Sequence, residues 1–125
     1  MRLAEAGTIP AMLTEGAAAV DIVAVYGGKS CTIQVKTRKT KPGRAPGVVD
    51  WRPQRMARPN FVAIVIAPEG DTPTAYVLPR AVVPKVWTLG GYPHPLRSNL
   101  SITRVQPLLD RYVERWDLVV AYLER

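Results

Sequence analysis

The stretch "VDIVAVYGGKSCTIQVKT", residues 20–37, decides the fold, because its pattern predicts two short strands joined by a glycine pair. Gly27 and Gly28 suit a two-residue hairpin turn, so we expect the two strands to pair antiparallel. Side chains alternate along a strand, and Gln34 and Lys36 therefore lie on one face of the second strand. The opposite face carries the apolar side chains of Cys31, Ile33 and Val35.

Polar residues at one end of this hairpin indicate a chemical site. Asp21 enters the first strand at the end where Gln34 and Lys36 leave the second. Carboxylate and amide oxygens suit Mg²⁺ or Mn²⁺, and the backbone carbonyl of Val35 offers a third oxygen. Lys36 is expected to orient an attacking water or to offset charge on a phosphate. The pattern predicts metal-assisted phosphodiester hydrolysis by Asp21, Gln34 and Lys36, with Asp21, Gln34 and the Val35 carbonyl as metal ligands.

The same residues resemble the PD-(D/E)XK nuclease-like superfamily, especially its small solitary domains with an "IQVKT" strand. Asp21 matches the metal-binding aspartate of the family and Lys36 matches its lysine. Gln34 stands where the family usually has Asp or Glu, a variant found in some intron-encoded endonucleases of the superfamily. The segments "FVAIVIAP", "AYVLPRAVV" and "YVERWDLVVAYL" resemble later parts of such domains. The resemblance implies a restriction-endonuclease-like fold and a Mg²⁺- or Mn²⁺-dependent endonuclease acting on DNA.

A further acid is expected from this family, which usually carries a glutamate on its first helix. Residues 1–6 are predicted to be the last turns of a helix closed by Gly7, without an N-cap, as though its first half were missing. Glu5 and Glu15 are the available auxiliary acids. Gln34 also removes one negative charge from the metal site, which weakens divalent binding. A weak or inactive nucleic-acid-binding domain is therefore one alternative, and a dimeric interaction module whose partner contributes an acid is another.

Composition narrows the class of protein. The 125 residues suffice for a single domain, 1–125, and the net charge of +7 favours a polyanionic partner, nucleic acid before membrane. No apolar run is long enough to cross a bilayer. One cysteine, Cys31, excludes an internal disulfide, and one histidine, His94, excludes a Cys/His metal cage. We therefore expect a cytoplasmic protein that acts on DNA or, less favoured, RNA.

A basic connector rich in Pro and Gly spans residues 38–60 and is expected to hold at most a short helical turn at 54–57. Asp50 is the only acid in it, so the cations are interpreted as contacts to a nucleic-acid backbone, with a solvated loop as the alternative. Trp51 is interpreted as a core anchor in preference to a base-stacking platform. The predicted nucleic-acid-binding residues are Arg38, Lys39, Lys41, Arg44, Arg52, Arg55 and Arg58.

The remaining segments predict an α/β fold. Strands are expected within 8–16, 61–68 and 74–79, the second buried on both faces. Residues 80–87 predict a short helix or an irregular segment broken at Pro84, and 88–99 a loop. From Pro107, placed in a first helical turn, apolar residues recur at helical spacing, which predicts one helix or two short ones. The whole predicts a mixed four- to five-stranded sheet that starts with an antiparallel meander, flanked by an N-terminal and a C-terminal helix.

Overall fold

The computed structural model describes residues 9–12 as backbone and residues 22–93 and 98–125 in full. The predictions for the helix at 1–6, for Glu5, Glu15 and Asp21, and for His94 lie outside the described residues. Within the described ranges no helix is long and apolar enough to cross a membrane.

A mixed five-stranded sheet forms the centre of the fold, in the spatial order β1–β2–β3–β5–β6. The first three strands make an antiparallel meander, β3 and β5 run parallel, and β5 and β6 are antiparallel. The predicted mixed sheet is therefore confirmed. Its strands are β1 (Ile9–Met12), β2 (Ile22–Tyr26), β3 (Lys29–Thr40), β5 (Phe61–Pro68) and β6 (Thr74–Pro79).

A second, smaller sheet has the order β4–β8–β7 within the described residues. Its strands are β4 (Val48–Asp50), β7 (Gly91–Tyr92) and β8 (Asn99–Ser101). The helices are α1 (Pro53–Met56), α2 (Val83–Gly90), α3 (Ile102–Leu109) and α4 (Asp117–Leu123), with 3₁₀ turns at Arg80–Val82 and Asp110–Tyr112.

The β2–β3 hairpin forms as predicted. Tyr26 pairs with Lys29, and Gly27 and Gly28 between them have φ of +57° and +81°. Two consecutive positive φ angles are the condition for a two-residue turn that matches strand twist, and glycine meets it without strain. β3 runs three residues beyond the predicted Thr37, because its parallel register with β5 continues to the end of that strand.

The main sheet is covered on both faces. Gln34 and Lys36 lie level with Val62 and Ile64 of β5. These β5 residues belong to the larger core, which contains Val49, Trp51, Met56, Val62, Ile64, Leu78, Val82, Val83, Val86, Leu100, Ile102, Val105 and Leu109. The smaller core lies on the opposite face under α4 and contains Ala24, Cys31, Ile33, Phe61, Ala63, Val77, Val119 and Leu123. The predicted division of β3 into two faces is thus observed.

The short helix that was one alternative for residues 80–87 is present in α2, but the expected positions of Pro84 and Pro107 relative to their helices are wrong. Pro84 lies in the first turn of α2, where its missing N–H costs nothing, so it starts the helix instead of breaking it. Pro107 lies inside α3, which begins five residues earlier at Ile102 with Ser101 as its N-cap. The chain does form two short helices, α3 and α4, in its last part.

The loop predicted at 88–99 is also wrong, since it holds the end of α2, the strand β7 and the start of β8. The reason lies at Gly90, which is buried. A methyl group there would come 2.5 Å from Cγ1 of Val105 and 3.0 Å from the carbonyl oxygen of Ser101. The glycine therefore allows close packing of α2 against α3, a contact that local sequence does not reveal.

Candidate functional site

Gln34 and Lys36 are placed by the central strand β3, with strands paired on both sides of it. Gln34 is only 8 % exposed, whereas Lys36 is half-buried. An amide so deep in the sheet has its oxygen and nitrogen held in a low-dielectric environment, where polar contacts are strong. The two side chains share one face, and the backbone of Val35 lies between them.

Lys36 reaches solvent through a cavity of about 320 Å³ between β3 and the smaller sheet. We call it the β3–β4 cavity. Its lining mixes two cations, one acid and one amide with apolar and hydroxyl side chains. The lining residues are Lys36, Thr37, Arg38, Val48, Val49, Asp50 and Asn99.

The third member of the predicted constellation, Asp21, lies outside the described residues, as do the auxiliary acids Glu5 and Glu15. The described neighbour of Asp21 is Ile22, which pairs with Ile33 in the antiparallel β2–β3 register. The structure therefore places Gln34, Val35 and Lys36 together on β3. It also describes β2, the strand that begins directly after Asp21 in the sequence.

The seven predicted nucleic-acid-binding cations are all exposed and form two groups along the chain. The first group follows the end of β3, where the Nε of Arg38 donates a 2.9 Å hydrogen bond to the carbonyl oxygen of Pro46. The first group is Arg38, Lys39, Lys41 and Arg44.

The second group surrounds α1, before the start of β5, and consists of Arg52, Arg55 and Arg58. The guanidinium of Arg80 fixes the end of this segment: Nη2 donates 2.5 Å to the carbonyl of Arg58 and Nε donates 2.9 Å to that of Pro59. Because β3 and β5 are parallel, Arg58 and Arg38 mark opposite ends of the β3–β5 pair. Trp51, between the groups, is fully buried, so it is a core anchor as predicted.

The cysteine thiol, a soft metal ligand, does not lie on the face of β3 that carries Gln34 and Lys36. The thiol of Cys31 is buried in the smaller core, and burial raises its pKa to about 12. Within the residues described, no group of three or more His, Cys, Asp or Glu side chains is placed to hold a metal. Oxygen atoms of carboxylates, amides and the backbone are the ligands available beside Lys36.

Asp50 and Asn99 line the cavity but are not among the site residues predicted from the sequence. They are paired across β4 and β8, whereas the sequence shows Asp50 only as an isolated acid in a basic segment. The weak signal for Asp50 is its place after two apolar residues, "VVD", a run too short to identify a strand by itself. Asn99 carried no such signal, because its position depends on the pairing of β8.

Comparison with known proteins gives a likeness to solved structures. No protein-family model matches the chain, and neither does any curated protein sequence. Among solved structures, the bacterial homing endonuclease I-Ssp6803I is similar with a TM-score of 0.63 and 22 % sequence identity. The likeness covers 98 % of this chain and 83 % of the endonuclease chain. The chain therefore has a fold like that of this endonuclease.

Proposed function

We propose that the protein is a Mg²⁺- or Mn²⁺-dependent endonuclease that hydrolyses phosphodiester bonds in DNA. The observation that carries the proposal is the pair Gln34 and Lys36 on one face of a central strand, with Lys36 open to the β3–β4 cavity. The fold that holds this pair is similar to that of a homing endonuclease. The exposed cations at both ends of the β3–β5 pair supply an attractive field for a phosphate backbone.

The proposed cation is held by Asp21, Gln34 and the carbonyl of Val35. Asp21 directly precedes Ile22, whose partner Ile33 directly precedes Gln34. The donor set fits a hard cation, because all three groups offer oxygen and the only cysteine sulfur lies across the sheet. When bound, such a cation polarises the phosphate and lowers the pKa of a coordinated water.

Apart from the cation ligands, the protein contributes to the reaction through Lys36 and through the two groups of exposed cationic side chains. An ammonium at the wall of the cavity offsets the negative charge that develops on the phosphate and orients the nucleophile. The cations near Arg38 and Arg58 hold the backbone on either side. Two-sided attachment fixes the position of the bond to be cut, which converts binding into a favourable geometry for attack.

Cleavage assays on plasmid, duplex, branched and single-stranded DNA with Mn²⁺ test the proposal. Lys36→Ala is expected to remove cleavage, whereas Lys85→Ala, at an exposed lysine of α2 away from the cavity, retains it. Circular dichroism melts of both variants establish that they are folded. Equal product from the parent protein and from Lys36→Ala would show that the cleavage is contamination and overturn the proposal.

A second function is favoured by the neutral amide of Gln34, which removes one negative charge from the proposed metal site. We propose as the alternative a nuclease-derived domain that binds nucleic acid without cutting it. It predicts binding that weakens steeply with salt, unchanged in Asp21→Ala, and no product with any divalent cation. Loss of all binding at low salt would exclude this alternative.

A further inference from the structure

A second pocket, of about 350 Å³, lies between α4 and the point where β5 begins and β6 ends. We call it the α4 pocket. Its lining contains two cations, Arg80 and Arg125, and no acid among the described residues. Asp117, the acid within α4, is already paired with Arg115 at 2.9 Å, and Glu124 is not part of the lining. The pocket therefore carries positive charge that no carboxylate in its walls offsets.

The guanidinium of Arg80 is held in place without a ligand. Its Nε and Nη2 atoms donate hydrogen bonds to the carbonyl oxygens of Pro59 and Arg58, and these are its only side-chain hydrogen bonds within the described residues. Because a guanidinium has five N–H donors, Arg80 keeps donors for an anion. A side chain that is fixed in advance loses less entropy on binding.

The wall formed by Tyr122 adds a third cation and a rigid support. Nζ of Lys29 lies 4.6 Å from the centroid of the Tyr122 ring. The Tyr122 hydroxyl accepts a 3.1 Å hydrogen bond from Nδ2 of Asn60, whose Oδ1 is bound by Thr32. Both Tyr122 and Asn60 line the pocket. The described walls thus present hydrogen-bond donors and positive charge, which suit the oxygens of an anion.

A phosphate group of a nucleic-acid strand fits this lining. Guanidinium groups bind phosphate through paired N–H donors. Phe61 and Leu118 give the pocket an apolar part, which suits the sugar and base attached to a phosphodiester better than a free, hydrated ion. The cations around α1 end at Arg58, whose carbonyl Arg80 binds, so a strand held by them lies within reach of the pocket.

We propose that the α4 pocket binds a phosphate group of a nucleic-acid strand through Arg80 and Arg125. The choice of nucleic acid rests on the proposed function, whereas binding at this pocket needs neither a metal ion nor cleavage. Phe61 belongs to the smaller core, on the opposite face of the sheet from Lys36. The phosphate bound here is therefore not the one that reacts, and the pocket extends the bound strand beyond the second cationic group.

Anisotropy of a labelled duplex and of a labelled single strand, measured in EDTA at several salt concentrations, tests the pocket. Arg125→Gln is expected to weaken binding about three- to tenfold at low salt and to lower the slope of log affinity against log salt by about one. Arg111→Gln, at an exposed arginine of the 3₁₀ turn Asp110–Tyr112, is the matched control and leaves both quantities unchanged. Circular dichroism melts establish that both variants are folded.

Nuclear magnetic resonance locates the bound group. The side-chain amide of Asn60 is expected to shift on addition of a short single-stranded oligonucleotide, and to shift less in Arg125→Gln. Inorganic phosphate and thymidine monophosphate at the same concentration should cause at most about a tenth of that shift, because only a strand also contacts the neighbouring cations. An equal response to either small anion would overturn the assignment to a strand.

The outcomes separate this proposal from the nuclease proposal. If the parent protein cuts DNA with Mn²⁺ but Arg125→Gln binds with the same affinity and salt slope as Arg111→Gln, the pocket proposal is overturned and the nuclease remains. If binding depends on Arg125 in a protein that cuts no DNA substrate, the pocket is supported and the nuclease proposal falls.

Discussion

Arg38 clamps the loop that follows β3: its Nε donates a 2.9 Å hydrogen bond to the carbonyl oxygen of Pro46, and its guanidinium lies against Gly47. The contact joins the end of the central strand to the entry of β4, and so fixes one wall of the β3–β4 cavity. A cation predicted to bind a phosphate backbone therefore also holds the loop that carries Lys41 and Arg44.

Gly47→Ala should disturb this clamp. A methyl group at Gly47 would lie 2.8 Å from Nη2 of Arg38, and the φ of +78° is unfavourable for alanine. We expect a loss of roughly 1–3 kcal/mol in the free energy of unfolding, measured by urea titration, and weaker DNA binding.

Gly43→Ala is the control for that experiment. Gly43 has a φ of +75° in the same loop, but a methyl group there would meet nothing within 4 Å. It therefore reports the backbone strain alone, and the difference between the two variants isolates the Arg38 contact. If both variants lose the same stability and the same DNA affinity, the clamp has no energetic role.

Much of the main sheet follows from local sequence, for definable reasons. Gly27 and Gly28 fix a hairpin, and the alternation that follows assigns Gln34 and Lys36 to one face. Both signals are local, since turn geometry and strand period act over a few residues. The parallel neighbour β5 was marked by its continuous apolar run, although its pairing with β3 was not itself predictable.

The smaller sheet could not be predicted, because its strands have only two or three residues and are stabilised by partners distant in sequence. β4 pairs with β8, about fifty residues later, and β8 is short enough to resemble a loop. The cavity contribution of Asp50 and Asn99 depends on this pairing. The placement of Gln34 and Lys36 on one face of β3 was therefore predictable, whereas the facing wall of the cavity was not.

Cys31 should resist thiol reagents in the folded protein. Burial raises the pKa of its thiol from 9.0 to about 12, so very little thiolate is present near neutral pH. At about pH 8 we expect labelling by a disulfide reagent to be at least about a hundredfold slower than in concentrated urea. Labelling at equal rates in the two conditions would show that the thiol is accessible.

The same shift makes stability depend on pH in the alkaline range. Above pH 9.0 the unfolded thiol loses its proton first, so the unfolded state binds fewer protons and is favoured as pH rises towards about 12. The contribution of the buried, protonated Cys31 thiol to the free energy of unfolding is complete below pH 9.0 and declines above it. Urea midpoints of the parent protein and of Cys31→Ala, compared at about pH 8 and about pH 10.5, should show a steeper fall for the parent. Parallel declines would contradict this assignment.

Asn60 should be important for joining the central sheet to α4. Its Oδ1 accepts hydrogen bonds from the backbone N–H of Thr32 at 2.9 Å and from the Thr32 hydroxyl at 3.1 Å, and its Nδ2 donates 3.1 Å to the hydroxyl of Tyr122. Asn60→Ala is expected to cost roughly 2–4 kcal/mol of unfolding free energy, since three contacts are lost together. Tyr122→Phe removes only one of them and should cost about 0.5–1.5 kcal/mol. A smaller loss for Asn60→Ala than for Tyr122→Phe would be inconsistent with the observed contacts.

Trp51 should act on stability and not on DNA binding. Its side chain is fully buried in the larger core, so it is not available to stack on a base, and Trp51→Ala is expected to cost about 3–5 kcal/mol. Its Nε1 atom is buried without a hydrogen-bond partner in the described part of the chain. Trp51→Phe removes that unsatisfied donor while keeping an aromatic ring, so its cost should be at most about half that of alanine. Urea titration measures both costs, and DNA affinity of the folded Trp51→Phe protein should equal that of the parent. A tenfold loss of affinity in this variant, with folding intact, would place the indole at the nucleic-acid surface and contradict its burial.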